Sequence, residues 1–227
     1  MAQNVRDFNF SASPSYRVRR ETWGGVAISI YYNRLPPSEL ATWTRRALKR
    51  FSARLGPYPY SELAVAESHL GLGMESPQLI WIPQSSYGRG NLAYLVIHEM
   101  AHQWFYGVVG SDGAAEPFAD EGLAEFLTRD MLASVRSSQC PGTLDRTVYE
   151  YSAGCYYETV YVEGARYLDR YRRRVGDTAF WRGMAAYYEQ NRFGIGNIRA
   201  FLDSLDAASG SDPTRHITRF PRTYSAE

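Results

Sequence analysis

One segment limits what this chain can fold into more than any other. Residues 92 to 106 read LAYLVIHEMAHQWFY, apolar nearly all round at helical spacing, with His98, Glu99 and His102 at the centre. A helix that is apolar on every face belongs in an interior. Burying two imidazoles and a carboxylate there costs several kcal/mol unless they are paired, and a divalent cation would pair all of them. The i, i+4 spacing sets both imidazoles on one face of the helix, about 40° apart, with Glu99 beside them. At this composition the pattern would arise by chance ~0.004 times. The bland alternative, a pair of hydrogen-bonded core histidines, leaves Glu99 without a use.

Catalytic zinc takes three protein ligands and keeps one position open for water. A three-histidine site of the eleven-residue type needs His at position 108, which is Val108, so a carboxylate must complete the set. Asp112, Glu116, Asp120 and Glu121 follow downstream. Glu121 opens the stretch Glu121-Gly122-Leu123-Ala124-Glu125 on the next expected helix. Glu121 and Glu125 share a helix face, which suits a ligand together with an acceptor for a histidine ring N–H. Gly122 costs its helix about 1 kcal/mol against Ala, a sign that another backbone passes close by.

Around this centre the chain reads as α+β. Tyr16 to Tyr32 alternates branched or aromatic with polar residues about Gly24-Gly25, a hairpin signal, and Pro37 to Leu55 has helical periodicity. Short strands are expected over Leu63 to Glu67 and Gln78 to Ile82, with a glycine-broken loop at Gly71-Leu72-Gly73. From Leu92 onward the spacing predicts helices near Leu92–Tyr106, Pro117–Ala133, Tyr161–Val175, Thr178–Gln190 and Ile198–Ala208.

The net charge is +1 and the 25 basic residues are spread along the chain, which argues against nucleic acid as a partner. Arg170 and Arg172 to Arg174 read as a solvated helix end. No stretch approaches the ~18 apolar residues of a membrane span, and the N-terminus lacks the charged and apolar regions of a signal peptide. Cys140 and Cys155 leave two states open, free thiols or a disulfide. A disulfide would stabilise by about 3 kcal/mol and point outside the cytoplasm. His69 and His216 fall outside every motif and read as ordinary histidines.

Several motifs together carry a family resemblance. Glu121, separated from His102 by eighteen intervening residues and in an Asp-Glu-Gly context, is similar to the third ligand of the gluzincin aminopeptidases, the family of membrane alanyl aminopeptidase and leukotriene hydrolase. Upstream, Leu72-Gly73-Met74-Glu75-Ser76 resembles that family's Gly-Ala-Met-Glu-Asn. Downstream, Tyr161-Val162-Glu163-Gly164-Ala165 resembles its Tyr-Glu-Lys-Gly-Ala, and Gly176-Asp177, Phe180 and Phe193-Gly194 are similar to its continuation. The likeness runs from about Asp7 to Gly210.

The resemblance implies a thermolysin-like zincin catalytic domain. A sheet-bearing lobe over about residues 1–85 and a helical lobe over about 86–227 would flank one Zn2+ held by His98, His102 and Glu121. It implies Glu99 as the base that activates water and Tyr161 as hydrogen-bond donor to the oxyanion, with Tyr156 and Tyr157 as substitutes. Glu75, with Gly73 and Met74, would receive the free N-terminus of a peptide, and the strand Gln78–Ile82 would pair with it as an edge. Glu125 would orient a histidine. The family's β-sandwich and helical flanking domains are not expected within these residues. Ser76 stands where the family has Asn, and Glu163 where it has Lys. These departures bear on specificity, so cleavage within chains, or zinc-dependent peptide binding with weak catalysis, are the alternative expectations.

Overall fold

The computed structural model describes residues 4–225. The first two strands, β1 (Arg17–Trp23) and β2 (Val26–Tyr32), form an antiparallel hairpin. Its two-residue turn has φ of +55° at Gly24 and +85° at Gly25, the conformation that matches strand twist and that glycine adopts without strain. Helix α1 (Pro37–Arg54) carries a proline in its first turn and then crosses to β3 (Glu62–Ser68), which lies parallel to β2. Leu40, Ala41, Ala47, Leu48 and Phe51 line its buried face. The large ones stabilise by about 1.5–3 kcal/mol each. Beyond lie β4 (Met74–Ser76) and β5 (Leu79–Pro83), giving a five-stranded mixed sheet of order β1-β2-β3-β5-β4.

The expected edge strand over 78–82 is displaced. β5 sits inside the sheet, parallel to β3 and antiparallel to β4, and the free edge belongs to β4. Gln78, at φ +65°, lets the chain fold back so tightly that a three-residue strand suffices. So short a strand leaves no periodicity to read.

Helices make up the rest: α2 (Leu92–Ala101), α3 (Glu121–Leu132), α4 (Ala153–Tyr156), α5 (Gly164–Val175), α6 (Asp177–Gln190), α7 (Ile198–Ser209) and α8 (Pro221–Ser225). Three boundaries differ from expectation. α2 stops at Ala101 rather than Tyr106, because Gly107 N–H bonds back to His102 O and Tyr106 turns to φ +125°. Pro117 opens a separate 3-10 turn, Pro117–Ala119, before α3 begins. The helix expected from Tyr161 continues a helical path from Ala153, through a π-helix over Tyr157–Glu163.

Cys140 and Cys155 form a disulfide, with Cα atoms 5.5 Å apart, just ahead of that π-helix. Gly122 explains itself as expected: Phe118 occupies the space of a side chain there, and a Cβ on Gly164 would lie 3.5 Å from Gly122 Cα. α3 and α5 therefore approach almost backbone to backbone. Arg172 and Arg173 are more than a solvated face, since both pair with Asp169 and Arg172 also reaches Asp130.

Candidate metal centre

α2 delivers His98 from its last turn and His102 from the residue that caps it. Ile97, Met100 and Ala101 are fully buried beside them, and Trp104 just beyond packs edge-on against Phe51 of α1 and donates to Gly56 O at 3.0 Å. The imidazoles meet tip to tip, with Nε2 of His98 and His102 3.3 Å apart. Glu121, first residue of α3, places Oε2 3.1 Å from His98 Nε2 and 3.3 Å from His102 Nε2. Atoms bonded at 2.0–2.1 Å to one tetrahedral centre are about 3.3 Å apart, so the three have the spacing of one face of a zinc tetrahedron.

The electrostatics agree. Burial works against charged imidazoles, but Glu121 and Glu125 outweigh it and hold His98 up at about 9; Asp120 and Glu121 likewise hold His102 well above its ordinary value. Burial would raise Glu121, yet the two histidines hold it well below the usual carboxylate range. Protons alone would leave two cationic donors tip to tip on one carboxylate. A single divalent cation replaces both protons and removes that repulsion.

Each histidine is also held from behind. His102 Nδ1 lies 2.8 Å from Asp120 Oδ1 and 3.1 Å from Phe105 O. His98 Nδ1 lies 3.3 Å from Glu125 Oε2, in contact but not aligned as a hydrogen bond. The pairing of Glu121 with Glu125 on one face of α3 thus brings both to His98.

Glu99 points from α2 toward β4. A Cβ on Gly73 would fall 2.1 Å from Glu99 Oε1, so the chain just ahead of β4 passes close against that carboxylate. Ligand atoms of Glu75, Glu99 and His102 lie within 4.8 Å of one another. Burial raises Glu99 to about 7 despite the neighbouring imidazoles, and its Oε2 is buried without a hydrogen-bond partner. Burial also raises Glu75. Met74 is half exposed on the same edge strand.

Tyr161 comes from the π-helix and stacks on His98, with ring centroids 5.6 Å apart and planes 15° apart. Burial and the adjacent Glu121 push its hydroxyl far above the ordinary tyrosine value, so it stays a donor. Tyr156 and Tyr157 flank Tyr161 at 5.9 and 4.9 Å. Glu163, two residues on, faces away from the site: it is fully buried among Arg166, Arg170 and Arg219.

Some participants escaped the sequence reading. Asp120 was one of four candidate ligands and instead backs His102. Gln103 is fully buried, donating from Nε2 to Ser76 O at 2.9 Å and accepting from Gln78 N at 2.8 Å, which ties β4 to the residue after His102. Its one signal was its place beside a histidine of the motif.

No family model matches the chain. Among curated proteins it is 26% identical over 153 residues to aminopeptidase N of Lactococcus lactis subsp. lactis, covering 56% of this chain and 18% of that protein. It is 22% identical over 186 residues to aminopeptidase N of Streptomyces lividans, covering 67% of this chain and 22% of that one. Its fold is that of the M1 zinc metallopeptidase from Deinococcus radiodurans, with a TM-score of 0.71 at 23% identity over 89% of this chain and 50% of that one. The chain is thus similar to part of two aminopeptidases N and shares the fold of an M1 zinc metallopeptidase. It spans about a fifth of the length of the curated relatives it matches. The gluzincin-like Gly73-Met74-Glu75 and Tyr161 stretches, far apart in sequence, converge on one pair of histidines here. The family's usual Lys position, Glu163, lies on the far side of the π-helix.

Proposed function

We propose that this chain is the catalytic unit of a zinc-dependent aminopeptidase, with His98, His102 and Glu121 holding its one Zn2+. What supports the reading above all is the triangle of Nε2, Nε2 and Oε2 atoms with edges of 3.1 to 3.3 Å. When bound there, Zn2+ supplies Lewis acidity and lowers the pKa of its water to about 7. Glu99 is the base that takes the proton from the attacking water and returns it to the departing amine. Tyr161 donates to the oxygen on which charge develops. Glu75, on the edge strand β4, pairs with the substrate's α-ammonium, which sets the first peptide bond at the centre and favours removal of N-terminal residues. Gly73 and Met74 border that subsite, and the open edge of β4 accepts the peptide backbone. Glu125 and Asp120 orient the two imidazoles.

In this reading residues 1–227 are one thermolysin-like catalytic domain, its sheet-bearing lobe facing its helical lobe across the site. The Cys140–Cys155 disulfide favours a compartment outside the cytoplasm. Among the described residues no helix is long and apolar enough to cross a membrane.

The test is metal analysis joined to a substrate panel. The purified chain is expected to carry zinc, to hydrolyse aminoacyl anilides, to lose that activity to a chelator and to regain it with Zn2+. Stripping the metal should also lower thermal stability, by about 4 kcal/mol where free zinc had stood a thousandfold above its Kd. Peptides blocked at the N-terminus should survive. Their cleavage would make the chain an endopeptidase, and a zinc-loaded chain that cuts neither kind would sink the proposal.

A further inference from the structure

Glu125 is fully buried, and its two oxygens engage different neighbours. Oε2 faces His98 Nδ1 at 3.3 Å and accepts from Tyr94 OH at 2.6 Å. Oε1 accepts from Arg129 Nε at 2.7 Å. Arg129 lies one turn along α3, with its guanidinium 4.8 Å from the centre of the Tyr94 ring, and its Nη2 donates to Tyr157 OH at 3.2 Å. Tyr157 packs on Tyr161 at 4.9 Å, and Tyr161 stacks on His98 at 5.6 Å. The contacts close a ring: His98, Glu125, Arg129, Tyr157, Tyr161 and back to His98.

We propose that Arg129 is a positioning residue that couples the orientation of His98 to that of Tyr161. This rests on the reading of His98 as a zinc ligand and Tyr161 as the oxyanion donor. A histidine that ligates a metal is neutral, so Arg129 is then the full positive charge within the polypeptide that offsets the buried Glu125. The planar guanidinium has donors on two edges, which lets one side chain hold the Glu125 carboxylate and the Tyr157 hydroxyl at once. A lysine ammonium can replace the charge but not that span. The π-helix gives the coupling its purpose. It is an uncommon local winding that concentrates at functional positions, and a hydrogen bond from α3 fixes its first turn relative to the metal helix.

Three variants test this, each read by zinc competition against a chelator and by kcat and KM on an aminoacyl anilide at saturating zinc. Arg129→Met is expected to weaken zinc binding about 10–100-fold, and to lower kcat about tenfold with KM little changed. Arg129→Lys should recover most of the zinc affinity and little of the kcat. Tyr157→Phe should bind zinc as the parent does and share the fall in kcat. If Arg129→Met fails to fold, the other two carry the test. Parent-like zinc affinity in Arg129→Met together with parent-like kcat in Tyr157→Phe overturns the inference, as does full recovery of kcat by lysine. A parent chain that binds no zinc defeats the metallopeptidase reading and this inference together, whereas a zinc-binding parent with unchanged variants defeats this inference alone.

Discussion

Two buried histidine centres sit in this molecule, and they are built on opposite plans. His216, at the end of α7's following turn, is fully enclosed and every polar atom it has is answered. Nε2 faces Asp206 Oδ1 at 3.0 Å, Nδ1 bonds the Tyr167 hydroxyl, and Asp206 accepts in turn from Tyr171 OH at 2.8 Å. At the α2–α3 centre both histidines are buried too, yet His98 Nε2, His102 Nε2 and Glu121 Oε2 converge on a shared point. Glu99 Oε2 is buried there without a hydrogen-bond partner. Saturation marks a histidine that holds the fold together, and convergence marks one arranged for a ligand. Tyrosine partners and carboxylates are present at both, so residue type alone does not separate them.

The sharpest way to break that contrast is to alter Glu99, whose Oε2 is buried without a hydrogen-bond partner. Glu99→Gln keeps shape and volume but cannot accept the proton of the attacking water. Hydrolysis should fall about a thousandfold, while zinc content stays that of the parent, since no ligand has changed. His98→Gln is the companion and should lose the metal itself. Retained turnover in Glu99→Gln, measured on aminoacyl anilides after exhaustive removal of contaminating peptidase, would show that the convergent centre is not catalytic.

The opposite outcome is expected at the saturated centre. Asp206→Ala leaves His216 Nε2 and the Tyr171 hydroxyl without their buried acceptor, which at about 1–3 kcal/mol for each unmet group amounts to a loss on the order of 3 kcal/mol. Denaturant unfolding should report that loss, and zinc affinity should not move. A fall in zinc affinity as large as the fall in stability would mean that the two centres are one cooperative unit, and the distinction between them would fail.

The sequence made part of this contrast legible. His98, Glu99 and His102 announced themselves because an amphipathic cluster inside an otherwise apolar helix has no inexpensive structural explanation, and helical periodicity located α1, α6 and α7 within a residue or two. Gly122 also spoke, because a glycine inside a helix is a cost that packing must justify. What stayed hidden were contacts made between elements. β4 is three residues long and exists only because Gln78 turns the chain back along β5. The roles of Gln103, Asp120 and Arg129 depend on how α2, α3 and the π-helix approach one another, and no local period encodes that. The disulfide was undecidable from two cysteines, since only the fold brings their Cα atoms to 5.5 Å.

The smallest effect concerns carboxylates, for which Glu67 is the saturated counterpart of Glu99. Both are buried. Glu67 Oε2 accepts from the backbone N–H groups of Asn33, Arg34 and Leu35, each at 2.8 Å, and Oε1 accepts from Gln84 Nε2 at 2.7 Å. Burial alone would raise it, but these bonds outweigh burial and its carboxyl sits below the ordinary value, opposite to Glu99, which burial lifts to about 7. A carboxyl lowered on folding stabilises the native state above its unfolded pKa, about 4.3, and that contribution drains away as the pH falls through its folded value. Glu67→Gln can still accept some of the same bonds, so the loss at neutral pH should be only about 1 kcal/mol. The difference between parent and variant should shrink as the pH is lowered from 6 toward about 3. A difference that instead grew in acid would mean that Glu67 is held protonated, and the turn between β2 and α1 would then be pinned by something other than a satisfied charge.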